Sequence, residues 1–223
     1  CLELAGQVEE IDRALLRRRG VSWWQDTSTR PLLRALCSIM LCHWHLGRAN
    51  EAAETGQRLL EIDPQDHLGA RFYVPLFLLL AGEHEEASLF FRHYAAHYPG
   101  DMPNAWLSFG WALTLCLEGD DQGARQKYRE GILANIYLAP RLLGERPPPE
   151  DIFHLSERDE PQSAVEFAGS FGGLWDREAA AMRVLREAHE EMRPVLNELI
   201  ARRRALSEVM DQRYDPEYRA RWT

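Results

Sequence analysis

The sequence predicts an all-α fold, a solenoid of antiparallel helical hairpins with a long C-terminal helix, on three observations. One pattern recurs three times, with 35 and 37 residues between its marker glycines Gly47, Gly82 and Gly119. No stretch alternates with the period of a strand, whereas apolar residues recur at helical spacing. The third is a stripe of Met182, Leu185, His189, Met192, Leu196, Leu199, Leu206 and Met210 at alternating three- and four-residue steps, with Arg203, between Leu199 and Leu206, its only charged interruption.

With 223 residues and 45% apolar content the chain can bury a sizeable core. The longest apolar run, from Phe72 to Gly82, is about half the length of a bilayer span, so no membrane helix is expected. Four cysteines, at positions 1, 37, 42 and 116, form no disulfide framework; they suit a reducing, cytoplasmic compartment. A formal charge of −9 argues against an extended nucleic-acid surface. Residues 193–223, with seven arginines against five acids, are locally basic.

In chain order, residues 2–19 place Leu4, Val8, Ile11 and Leu15 on one face, an amphipathic helix suited to capping the first hairpin. "SWWQDTSTRPLLRALC" (22–37) then reads as a structured entrance. Thr29 or Ser28 caps the next helix and Pro31 sits in its first turn, where a missing N–H costs nothing. Trp23 and Trp24 pack back onto that helix end. Helix pairs follow at 33–46 and 50–62, 68–81 and 84–97, and 104–118 and 121–134. Within each pair an apolar helix ends at Gly, which accepts the left-handed conformation. An acidic turn follows ("GRANEA", "GEHEEA", "GDDQGA"), and Ala52, Ala87 or Ala124 stands where two helices approach closely. Pro64 and Pro99 end the first two pairs; the third has Asn135-Ile136 there. "GERPPPED" (144–151) forbids helix and forms an extended connector. A short helix over 162–171 and a long one from near Arg177 close the chain. Residues 1–30, 31–143, 144–161 and 162–223 are thus entrance, repeats, connector and closing helices.

This unit resembles the tetratricopeptide repeat, with its period of about 34 residues, over residues 33–136. Arg71 and Ser108 stand where that repeat usually has Trp. "NIYLAPRLLGERPPPEDI" (135–152), followed by "SAVEFAGSFGGLWDREAAAMRVL" (163–185), is similar to the segment that closes the repeats in the suppression-of-tumorigenicity-seven family and its small bacterial relatives. The small bacterial relatives also carry a similar "TRP" entrance (29–31) before an "LGR…EA" hairpin (46–52). Together these motifs span about 22–187, and the resemblance implies a helical repeat fold with an interaction role and no reaction. In tetratricopeptide repeats four positions of each first helix line the concave face. Here they are Arg34, Cys37, Leu41 and Trp44; Gly69, Phe72, Leu76 and Leu79; and Trp106, Phe109, Leu113 and Cys116. A groove this apolar needs a cover.

Residues suited to chemistry do not converge. His43 and His45 lie about 200° apart on a helix, and Cys37 and Cys42 about 140°, so they make no tetrahedral metal site. His93 and His97 share a face without a third ligand. "GSFGG" (169–173) follows no strand and is a helix end, not a phosphate loop. No enzyme activity, cofactor or metal is expected. The expected function is a scaffold or adaptor that binds another protein through Trp44, Phe72, Leu76, Trp106 and Phe109 of the groove and Leu196, Leu199 and Leu206 of the C-terminal helix. The alternative is an accessory subunit of a nucleic-acid-handling assembly. It would touch phosphate through Arg202, Arg203, Arg204, Arg213, Arg219 and Arg221.

Overall fold

A computed structural model describes residues 23–98 and 103–212, and among them it is all-helical with no strand. The amphipathic segment 2–19, Pro99, and the arginines at 213, 219 and 221 lie outside the described residues. The chain forms two compact units, residues 1–100 and 101–223.

The first unit holds α1 (Arg30–His45), α2 (Ala49–Ile62), a 3-10 turn (Ala70–Phe72), α3 (Val74–Ala81) and α4 (His84–His97). Gly47 and Gly82 take φ of 72° and 84° between paired helices, a left-handed conformation that side chains resist. Ala52 and Ala87 are fully buried. Gly56 is the closest crossing: a Cβ there would lie 2.5 Å from Val74 Cγ2 and 2.9 Å from Met40 Sδ, so α1, α2 and α3 meet at this residue.

Two expectations need correction here. The helix expected over 68–81 begins only at Val74. Gly69 and Asp66 adopt φ of 75° and 50°, and Pro75 fits only a first turn, so residues 66–73 form a separate loop and turn. Thr29 stands at the N-cap of α1 but its side chain caps nothing. Its own backbone is helical, so its hydroxyl donates back to the carbonyls of Asp26 and Trp23. Trp24 stacks on His67, with ring centroids 4.6 Å apart, while Arg30 Nε donates to the Trp24 carbonyl. The entrance thus packs both on the start of α1, where the Arg30 guanidinium lies 5.0 Å from the Trp24 ring, and on the loop after α2.

The second unit holds α5 (Ala105–Leu117), α6 (Asp121–Ala134), α7 (Leu138–Leu143), a 3-10 turn (Glu157–Asp159), α8 (Pro161–Phe171), α9 (Gly173–Asp176) and α10 (Ala179–Gln212). Asn104 and Asp120 cap α5 and α6 by accepting from Leu107 N and Gly123 N. Asn135, where the first two hairpins have proline, is fully buried and replaces the stop with a tie. Its Oδ1 accepts from Tyr137 N, and its Nδ2 donates to the carbonyls of Arg158 and Glu160. Between Gly144 and Glu157 the chain is irregular, as three prolines dictate. Tyr137 Oη donates to Pro149 O, and Phe153 N donates to Arg203 O on α10. The connector is therefore fastened to α10. That helix runs 34 residues, through Pro194.

Candidate functional site

Of the residues expected to line an open groove, Leu76, Leu79, Phe109, Leu113 and Cys116 are buried, whereas Cys37, Leu41, Trp44, Gly69, Phe72 and Trp106 are half-buried and Arg34 is exposed. Leu76 and Phe109 are fully buried and Leu196 is 5% exposed, which corrects their assignment as partner contacts: their own unit already occupies them. Trp44 is half-buried beside Tyr73 and Phe77, at centroid distances of 6.0 and 5.5 Å. Phe72 lies outside α3, edge-on to Tyr94 and 4.6 Å from the Arg71 guanidinium. In the second unit Phe109 meets Tyr128, Phe167 and Trp175, while Trp106 meets Phe167 and Phe171 edge-on. Trp106 Nε1 donates to Ser163 Oγ, and Trp175 Nε1 to Tyr128 Oη. The cover of this face is therefore α8 and α9. Phe167, Phe171 and Trp175 recur every four residues and carry the ring area the face needs.

Helix α10 divides along its length. Ala181, Val184, Leu185 and Ala188 are fully buried. Along the neighbouring face Arg183, Glu187 and Glu191 meet Asp121, Arg125 and Arg129 of α6, both sets spaced by four. Hydrogen bonds from Arg129 and Arg125 hold the Glu191 carboxyl below the usual carboxylate range. Further on, His189 Nδ1 lies 3.3 Å from Glu145 Oε2. Burial lowers the His189 pKa, outweighing the opposite pull of Glu145. Arg203, the charged interruption of the stripe, turns inward: its Nη1 lies 2.9 Å from Asp159 Oδ2, misaligned for a hydrogen bond, and both side chains are buried. Beyond Arg203 the described residues cover the helix only in part. Leu206 and Val209 are 49% and 44% exposed, and Val195, on the same side about three turns earlier, is 48% exposed. Leu199 and Met210 are half-buried at the edge of this strip. Arg202 pairs with Glu198 at 2.5 Å and Arg204 is exposed, so the three consecutive arginines do not act as one basic patch.

A feature that sequence reasoning missed lies in the first unit. A cleft of about 450 Å³ opens between the last turns of α2 and α4. Leu60 and Glu61 line it from α2, Phe90, His93 and Tyr94 from α4, and Pro64, Arg71 and Tyr98 complete it. Arg71 Nη1 donates to the carboxylate and carbonyl of Asp66. Burial pushes the Asp66 carboxyl up, against the pull of Arg71 and two backbone N–H groups. Tyr98 Oη donates to Pro64 O at 2.6 Å, tying α4 to the end of α2. The available signal was Phe90, Tyr94 and Tyr98 at four-residue steps, an aromatic stripe on one helix face.

Among the described residues no group of three or more His, Cys, Asp or Glu could hold a metal ion. His93 and His97 stack at 3.8 Å, and His97 Nδ1 bonds the backbone carbonyl of His93. Burial raises the Cys37 pKa and lifts Cys116 to about 11, so both thiols stay protonated at neutral pH and make poor nucleophiles. No described helix is long and apolar enough to cross a membrane. Comparison of the chain with protein-family models, with curated proteins and with solved structures finds no match.

Proposed function

We propose that this protein is a non-catalytic interaction module, each hairpin a tetratricopeptide-like unit, and that it binds a partner protein through the end of α10. One observation carries the reading: the apolar stripe continues past Arg203, where the described residues cover it only in part and leave Leu206 and Val209 about half exposed. A strip of Val195, Leu206 and Val209, edged by Leu199 and Met210, suits the apolar face of a second helix. The hairpin lengths and the left-handed glycines at 47, 82 and 119 support the repeat reading. So does the resemblance of "NIYLAPRLLGERPPPEDI" to the closing segment of the suppression-of-tumorigenicity-seven family. A cytoplasmic setting belongs to the same proposal.

The test is co-purification from the native cells, with the retained protein identified by mass spectrometry. Replacing Leu206 and Val209 together by Ser should abolish its retention while leaving the melting temperature within a degree or two. Retention of the same protein by the double variant contradicts the reading. Leu196 is left out of this substitution because it is buried.

A further inference from the structure

The geometry points to the cleft between α2 and α4 as a site for an arginine side chain presented by a peptide segment of another protein. This cleft is separate from the α10 strip and does not depend on it. Its volume of about 450 Å³ falls within the range of small-ligand sites, and it is open to solvent, so a side chain can enter while its backbone passes outside.

Three features set the sign of the ligand. First, Glu61 is exposed and carries no ion pair among the described residues, so the cleft has an uncommitted carboxylate. Second, the one guanidinium already there is neutralised: Arg71 spends Nη1 on Asp66, whose carboxylate is buried beneath it. An anion would have to break that pair. Third, the cleft sits where both α2 and α4 end, at Ile62 and His97, and helix C-termini favour positive charge. The whole chain, at −9, draws the same sign of partner.

The rings select guanidinium over ammonium. Tyr98 is occupied on both sides, by Tyr94 at 5.3 Å and by Arg71 at 4.8 Å. Phe90, half-buried in the cleft wall, stacks on no ring among the described residues. A planar guanidinium can lie on Phe90 while its N–H groups reach Glu61; an ammonium makes a point contact only. Arg71 between Phe72 and Tyr98 is the same arrangement, already built once in this unit.

Titration of the 15N-labelled full chain with acetyl-arginine amide at low salt tests this, followed by amide chemical shifts. The expected result is saturable shifts confined to residues near 57–64 and 90–98. They should weaken as salt rises and be weaker with acetyl-lysine amide. Glu61→Gln, on an exposed side chain, and Phe90→Leu, which keeps apolar bulk without the ring, should each raise the apparent Kd about threefold or more. Absence of saturable shifts overturns the inference. So does inorganic phosphate or acetyl-leucine amide moving the same resonances equally, or either variant binding as the parent does.

Discussion

The two halves of α10 belong to one amphipathic stripe and are read alike from sequence, yet they have opposite surroundings. From Ala181 to Arg203 the helix is held by small buried residues, by an ion-pair ladder to α6, and by a connector fastened at Glu145, Phe153 and Asp159. After Arg203 the same stripe offers Leu206 and Val209 to solvent. The difference teaches that a stripe's period fixes which residues share a face, while the elements packed against it decide how much of that face is core. The connector reaches Arg203 and then turns away into α8.

The sharpest way to break this contrast is at the clamp. Arg203→Met leaves the buried Asp159 carboxylate without its countercharge, and should cost about 3–5 kcal/mol in denaturant unfolding. A cost under about 1 kcal/mol would mean the connector is not fastened there. Next, Leu185→Ala, at a fully buried position of the packed half, should cost about 2–5 kcal/mol.

The connector's other end gives a pH signature. Because burial holds the folded His189 pKa below its ordinary 6.5, the unfolded chain binds more protons as pH falls. The stability associated with neutral His189 is therefore full above 6.5 and is lost as pH drops below it. His189→Gln should flatten the urea midpoint between about pH 6.5 and 5; an unchanged slope would remove His189 from the account. The smallest effect is expected at the ladder. Arg125→Ala should shift the melting temperature slightly at low salt and less at about 1 M salt, since these pairs are exposed and screened.

Much of the helical framework was legible. The glycines at 47, 82 and 119 and the alanines at 52, 87 and 124 act locally, through a left-handed φ and a close approach, so their sequence spacing suffices. The helices at 84–97 and 121–134 begin and end as read. The loop at 66–73 was not legible, because Asp66 at positive φ depends on accepting from Ala70 N and Arg71 N, contacts that only the closed loop supplies. The groove residues were placed on the right helices except Gly69 and Phe72. Their exposure was misjudged, since the cover of Phe109 comes from Phe167 and Trp175, about 60 residues away in sequence, a non-local pairing that no periodicity reports. The reverse holds for Phe90 and Glu61, which among the described residues have no ring stacking and no ion pair, a fact visible only in three dimensions.

The division of α10 is tested most directly by melting Leu196→Ser and Leu206→Ser side by side. The two substitutions remove the same side chain from the same stripe. Leu196 at 5% exposure should lose on the order of 10 °C, from a core cavity and a buried hydroxyl. Leu206 at 49% should change by no more than about 1–2 °C. Equal losses in the two variants would contradict the account, because the end of α10 would then be core rather than exposed surface.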